Sequence, residues 1–300
     1  MPLPGPVSMA RMPADRRGPA ELEITSPANP RIKQLVALRR RRSRDQAGVT
    51  LVEGQAEIEL ALAAGVRVQA IYFCPALASE DSLPLAAIAG ERGAEVVAVS
   101  RAVFDKISYR EGPDGWLAVV PAVVSSLDSL KLDGGKLGPR PLVLVCAGLE
   151  KPGNLGAILR TADAAGIAAV IAADPVTDWG NPNVVRASKG AVFSVPVASA
   201  TSAQALDWIA VHGLRIVAAT PDATQLITGA DLTGPTAIAV GAEQTGLSAE
   251  WLERADEVVR IPMFGKADSL NVSTSAAIIA YEAVRQRMQA GDVGSDQSVL

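Results

Sequence analysis

The sequence predicts an α/β protein organised on a parallel sheet, and three observations predict it. Strongly apolar runs suited to buried strands, PLVLVCAGL from Pro141, IAAVIAAD from Ile167 and TAIAVG from Thr236, alternate with helical patterns. Several of these strands end in Gly- or Pro-bounded loops that open a helix, at Ala147 to Leu155, Gly241 to Ser248 and Pro262 to Asn271. A shorter alternation of the same kind precedes them, so a small α/β domain comes first and a larger one second.

The elements follow in order. Residues 1–22 are rich in Pro, Arg and Gly and read as a disordered tail, in which Met9 or Met12 could equally be the first residue. The run TSPANPRIKQLVAL carries turn chemistry at Pro27 and Asn29-Pro30, then a helical pattern of Ile32, Leu35, Val36 and Leu38 with an arginine cluster at its far end. Val49 to Val52 reads as a strand, Glu53 to Ala64 as a helix stopped by Gly65, and Val68 to Cys74 as a strand. A helix around Leu83 to Glu91, a strand at Glu95 to Val99, a short helix near Val103 to Ile107 and a strand at Trp116 to Val120 complete a domain over 23–121. The Ser-, Gly-, Lys- and Pro-rich stretch 122–140 reads as a linker with room for one short helical turn. The second domain, 141–290, begins with the strand at Pro141 and the helix holding Leu155, Ile158 and Leu159, which Gly166 ends. A helix around Ala203 to Val211, the strand LRIVAAT, a helix at Ser248 to Glu253 and a strand at Val258 to Ile261 follow. Ser269-Leu270-Asn271 then opens a long helix, with Arg285 and Arg287 placed as cations at its C-terminus. Residues 291–300 read as a second disordered tail.

Composition removes several functions. The apolar share is 49%, ample for a core, yet no apolar run reaches the roughly 18 to 20 residues that cross a bilayer. Nor do the first thirty residues hold a secretory apolar stretch, so the expectation is a cytoplasmic protein. His212 is the only histidine, and Cys74 and Cys146 lie far apart in apolar runs. A zinc cluster or a histidine-based triad cannot be assembled from these, and no metal is expected. The net charge of −4 hides a segregation: the chain to Arg44 carries +7 and the remainder −11. Seven basic residues fall between Arg31 and Arg44, a density able to hold phosphates. Arg31, Lys33, Arg39, Arg40, Arg41 and Arg42 are the candidate nucleic-acid contacts; the competing reading is a solvated helix end or a flexible basic arm without a partner.

Parallel sheets bind ligands beyond the carboxyl ends of their strands, so three such loops in one half of the chain point to one shared site. No G-x-G occurs, which excludes the dinucleotide fingerprint, and no G-x-x-x-x-G-K-[ST] occurs, which excludes the phosphate loop of nucleotide hydrolases.

Asn154-Leu-Gly156-x-x-x-Arg160 with Gly166, then Gly241-Ala-Glu243-x-x-Gly246-Leu247-Ser248, then Ile261-Pro262-Met263 through Ser269-Leu270-Asn271 resemble the three ordered motifs of the SpoU (TrmH) family, RNA ribose 2′-O-methyltransferases of the SPOUT class. Upstream, SPANPRIKQLVAL and LVEGQAEIELALAAG resemble that family's N-terminal RNA-binding domain, related to a ribosomal protein. Asp268, where Glu is commoner, is a small departure. The resemblance implies a parallel-sheet trefoil knot, a homodimer, and S-adenosylmethionine held by Thr220, Gly241, Glu243, Gly246, Ile261, Met263, Leu270 and Asn271. It also implies catalytic roles for Arg160, Asn154, Glu243, Ser269 and Asn271, with Arg160 near the first turns of its helix. A guanidinium is a poor base, so Arg160 is assigned to a phosphate or the developing alkoxide, the two asparagines to the ribose, and Glu243 to the proton. Plainer readings compete: Ser269 as a helix cap, Glu243 as a cap or an ion-pair partner, Asn154 as a turn residue. The expected substrate is a structured RNA, ribosomal before transfer RNA. RNA binding without chemistry, and methylation of a base nitrogen, are the alternatives.

Overall fold

The computed structural model describes residues 22–132 and 137–291. The expected tails fall outside these residues except at Leu22 and Gly291, and Leu22 already begins a strand.

The N-terminal sheet has five strands: β1 (Leu22–Ile24), β2 (Val49–Glu53), β3 (Ala70–Phe73), β4 (Glu95–Val99) and β5 (Trp116–Pro121), in the order β1-β4-β3-β5-β2. β5 runs antiparallel to both neighbours, and the other pairs are parallel. β1 was not expected from the sequence, because three residues carry too little periodicity to be seen; its partner β4 supplies the register, Ile24 opposite Val99.

Where one basic-ended helix was expected, the chain makes two, α1 (Pro30–Ala37) and α2 (Arg41–Ala47). Asn29 caps α1 by accepting from the Arg31 N–H, and Pro30 sits in the first turn, where a missing N–H is harmless. The break at Arg40, which is extended, is held by Arg44, whose buried side chain turns back to donate to the Leu38 and Arg39 carbonyls at 3.2 and 2.9 Å. Three further helices complete this half: α3 (Gln55–Ala63), α4 (Pro84–Glu91) and α5 (Arg101–Ile107). α5 starts two residues earlier than expected because the Ser100 hydroxyl caps it.

The C-terminal sheet is entirely parallel. Its strands are β6 (Leu142–Ala147), β7 (Ala169–Ala173), β8 (Val197–Ala200), β9 (Arg215–Ala219), β10 (Gln225–Leu226), β11 (Thr236–Gly241) and β12 (Glu257–Arg260), in the order β10-β12-β9-β11-β6-β7-β8. Helices cover both faces. α6 (Pro152–Ala164), α7 (Pro182–Ala187) and α10 (Val272–Gln289) share the larger core, whereas α8 (Ser202–Val211) and α9 (Ala249–Glu253) pack on the other side. α7 and β8 arise from stretches with no clear sequence pattern.

The two halves are joined by a continuous apolar core, in which Val52, Ile58 and Trp116 belong to the same cluster as Val184, Val185 and Val192. Polar contacts reinforce that seam. The Arg44 guanidinium, 3% exposed, lies 2.7 Å from Asp178, and the Thr50 hydroxyl donates to the Gly180 carbonyl. Nor is the stretch after Pro121 a free tether: Ser199 N–H donates to the Ser125 carbonyl, and Leu127, Leu130 and Leu132 pack on the outer face around a short 3-10 turn at Leu127–Ser129.

Arg287 lies in the last turn of α10, as expected, and the structure adds that it is fully buried and donates to the carbonyls of Leu232, Gly234 and Arg140 at 3.0, 2.7 and 2.5 Å. Gln286 adds a bond to the Ala230 carbonyl and accepts from the Leu232 N–H. The end of α10 is thereby fastened to the segment that feeds β11.

Candidate active site

The register of the parallel sheet decides where the loops meet. Ala219 pairs with both Val240 of β11 and Val259 of β12, and Gly241 pairs with Ala147 of β6, so the carboxyl ends of four adjacent strands lie at one level. Thr220, Gly241, Ile261 and the loop into α6 all leave the sheet there.

Side chains from three of these loops touch. Asn154, in the first turn of α6, donates its amide N–H to Glu243. Asn271 donates to the Asn154 side-chain oxygen at 3.1 Å and to Glu243 at 3.3 Å. Lys151, the residue before α6, donates to the second oxygen of Glu243. One carboxylate therefore gathers donors from two other chain segments. The Lys151 hydrogen bond is the main reason that the Glu243 carboxyl is held below its ordinary pKa, with Asn154 adding to it. Lys151 was missed in the sequence, although it immediately precedes Pro152-Gly153-Asn154; a lone lysine beside a turn gives no signal of its partner.

Asn271, not Ser269, caps α10: its side-chain oxygen accepts from Ser273 N–H at 2.9 Å and the Ser273 hydroxyl at 2.6 Å. The helix consequently starts at Val272, and Ser269 is exposed on the preceding loop without a side-chain partner among the described residues. Glu243 does not cap α9, which follows Ser248; it is an ion-pair partner and more.

Arg160 lies on the third turn of α6, farther along than expected, and is exposed without a partner among the described residues. Gly156, one turn earlier on the same face, packs against Ala187 and Ser188 so closely that a Cβ would lie 2.8 Å from the Ser188 nitrogen. Asp163, one turn later, accepts from the Ser194 hydroxyl at 3.3 Å. Arg160 thus sits along the seam between α6 and the segment that carries exposed Arg186 and Lys189. Neither was singled out from the sequence, where ARG and LYS in a short turn-rich run look like ordinary solvated charges.

Two features suit a ligand with polar edges. Between Met263 and Leu270 no backbone N–H donates to another backbone group among the described residues, which leaves these donors for water or a ligand. At Gly241 a Cβ would overlap the backbone of Gly246 and Leu247, because the loop folds back through the Gly246 N–H to Ala242 carbonyl bond at 2.8 Å, with Gly246 at φ 66. Thr220, Ile261, Met263 and Leu270 are each partly buried around this end of the sheet.

The expected RNA contacts divide. Arg31 is committed to Glu95 through two bonds of 2.7 and 2.5 Å, lowering the Glu95 pKa, and stands 5.1 Å over the Tyr72 ring. Arg39 donates to the Lys106 and Ser108 carbonyls at 2.8 and 2.6 Å, and Arg41 is 3.7 Å from Asp45. Lys33, Arg40 and Arg42 remain exposed with no side-chain partner among the described residues.

The glycine loop gives a direct test. Gly241→Ala should abolish S-adenosylmethionine binding, read by isothermal titration, while circular dichroism retains the α/β signature; wild-type affinity in the variant would show that the loop tolerates a Cβ.

Comparison with known proteins agrees with the motifs. The profile of the SpoU rRNA methylase family matches residues 141–281, and that of the MRM3-like substrate binding domain matches residues 29–118. A 23S rRNA uridine 2′-O-methyltransferase from Streptomyces viridochromogenes is 33% identical over 295 residues, covering 93% of this chain and 97% of that protein. The crystal structure of an RNA 2′-O ribose methyltransferase superposes with a TM-score of 0.78 at 44% identity, covering 89% of this chain and all of that one. An S-adenosylmethionine-bound rRNA methyltransferase from Sinorhizobium meliloti does so with a TM-score of 0.77 at 30% identity, covering 88% of this chain and 97% of that one. With likeness along nearly its whole described length and all three motifs at one end of the parallel sheet, the chain belongs to the SpoU rRNA methylase family.

Proposed function

We propose that this chain methylates a ribose 2′-hydroxyl in a folded RNA, with 23S ribosomal RNA as the first substrate to test. The observation that carries the reading is the meeting of Asn154, Glu243 and Asn271, from three distant motifs, at the carboxyl ends of adjacent parallel strands. The open backbone donors between Met263 and Leu270 and the close fold at Gly241 suit S-adenosylmethionine, which Thr220, Gly241, Gly246, Ile261, Met263 and Leu270 would hold. When bound, that cofactor supplies a methyl group on a sulfonium, ready for in-line displacement.

The chain's own residues orient the ribose and handle its proton. Asn154 and Asn271 present amides that can exchange their mutual bond for the ribose hydroxyls. Arg160, exposed and unpartnered among the described residues, holds a phosphate or the charge that develops on oxygen. Glu243 is the carboxylate of the group and takes the hydroxyl proton directly or through water. Ser269 lies on the open loop beside them. Lys33, Arg40 and Arg42 supply positive charge on the N-terminal half for the RNA backbone.

The family resemblance also carries a homodimer and a trefoil threading of the C-terminal segment. Thr274, Ile278, Tyr281 and Met288 make an exposed stripe along α10, a surface suited to a second copy. The fastening of Arg287 and Gln286 to the 230–234 segment, with β12 between β9 and β10, supports the threading. The same reading places the chain in the cytoplasm with ribosomes; both cysteines are free and buried, and no described helix is long and apolar enough to cross a membrane.

Incubation with a 23S rRNA transcript and labelled cofactor should give a 2′-O-methylated nucleoside, mapped by mass spectrometry. Arg160→Ala and Asn271→Ala should lower kcat/KM by about 100-fold or more. A base-methylated product, or transfer of label to transfer RNA alone, would sink the assignment.

The pH profile tests Glu243. Its lowered pKa keeps the basic form present below the usual carboxylate range, so the acidic limb of kcat/KM should lie low in the wild type and move upward in Lys151→Met. An unmoved limb would remove Glu243 as the proton acceptor.

Ile278→Asp with Tyr281→Asp should convert a two-chain mass in light scattering to one chain; a monomeric wild type refutes the pairing.

A further inference from the structure

We propose that the concavity between α1, α2 and the edge of the five-stranded sheet receives one unstacked base of the bound RNA. This rests on the RNA reading above and adds to it a site on the N-terminal half, separate from the methyl-transfer cluster.

The concavity is open to solvent and has a volume of about 570 Å³, within the range of pockets that hold small organic molecules. Its floor is apolar, from Leu35, Ala70 and Val119, all buried. Tyr72 forms part of the wall, with the Arg31 guanidinium held 5.1 Å from its ring centroid and fixed by two bonds to Glu95. That pairing sets a planar group at the opening and neutralises the carboxylate that would otherwise repel a nucleic acid.

The rim is amide-rich. Gln34 on α1, Gln46 on α2 and Gln69 just before β3 converge on the cavity from three different segments, joined by Ser43. None of these side chains has a hydrogen-bond partner among the described residues. An amide presents a donor and an acceptor side by side, the arrangement that reads the edge of a nucleobase. Glutamines scattered on a surface are usually only solvated. Three around one apolar floor, beside a fixed guanidinium plane, match what single-stranded RNA recognition needs: a face to stack on and groups for the base edge.

Charge selects RNA over a peptide as the occupant. Lys33, Arg40 and Arg42, on or between the same two helices and without side-chain partners among the described residues, are placed to meet the phosphates that flank an extruded base.

The test uses the full chain and a 23S rRNA transcript substituted with 4-thiouridine. Irradiation should crosslink RNA to peptides containing Gln34 to Ala47 or Gln69 to Tyr72. The triple variant Gln34→Ala/Gln46→Ala/Gln69→Ala should raise Kd for the transcript and KM for RNA about tenfold, with kcat, S-adenosylmethionine affinity and Tm unchanged. Binding within twofold of wild type, or crosslinks confined to other parts of the chain, overturns the pocket. A transcript that is bound through the pocket but left unmethylated overturns the functional reading alone; a transcript that is methylated with the triple variant at full affinity overturns the pocket alone. No binding of the transcript by the wild type overturns both.

Discussion

The level ending of neighbouring parallel strands is the constraint on which the site depends. A parallel ladder requires long crossover connections, and each crossover here returns to the same edge, so β6, β9, β11 and β12 release their loops side by side. Motifs about ninety residues apart in the chain then come within hydrogen-bond reach without any local sequence relation. Glu243 makes the convergence cohesive, since one anion accepts from Lys151, Asn154 and Asn271. The same arrangement creates a tension in its chemistry. Donors that gather around a carboxylate stabilise its charge and weaken it as a base. On the proposed reading, a ribose hydroxyl entering between the asparagines would relieve that tension by substituting for the bonds they make to one another and to Glu243.

The seam between the halves has a different physical character. Arg44 and Asp178 lie at the margin of the shared core, and Arg44 is almost wholly removed from water. Buried ion pairs of this kind contribute little net stability, because desolvation offsets attraction; breaking one by removing a single partner is costly. Because Arg44 also satisfies the carbonyls at the α1–α2 break, the same side chain shapes the concavity on the N-terminal half and ties it to the loop after β7. Arg44 thus links the α1–α2 break to the C-terminal half, alongside the shared apolar core and the Thr50–Gly180 bond.

Much of this could be read in the sequence. The large apolar strands β6, β7, β9 and β11 were visible because burial on both faces makes them continuous, and α6 and α8 because a glycine follows each of them. β1 and β10 were not, since strands of three and two residues are made by their partners rather than by their own pattern. Within the site, Asn154, Glu243 and Asn271 were recognisable as motif positions, but the bonds among them were not, because contact across the fold leaves no mark in spacing. Arg287 shows the limit of a helix-end rule. A cation in the last turn suits the helix dipole, yet its burial follows from carbonyls on a distant segment. Arg31 and Arg39 make bonds that a basic run does not reveal: Glu95 and two backbone carbonyls engage them within the fold.

That redistribution of charge bears on how an RNA would be gripped. Each phosphate neutralised by a free cation adds to affinity through counterion release, and the number of such cations sets the steepness of the salt dependence. Of the six basic residues first assigned to RNA, three remain without protein partners among the described residues; Arg160, Arg186 and Lys189 add exposed charge on the other half. These basic groups lie on both halves of a chain whose net charge is −4. Nonspecific attraction along a duplex would be weak under those conditions. On the proposed reading, recognition leans instead on the separation between the two surfaces, fixed by the shared core, and on contacts to individual unstacked nucleotides. A folded ribosomal RNA, with loops held at set distances by its own tertiary structure, satisfies both requirements better than a flexible strand.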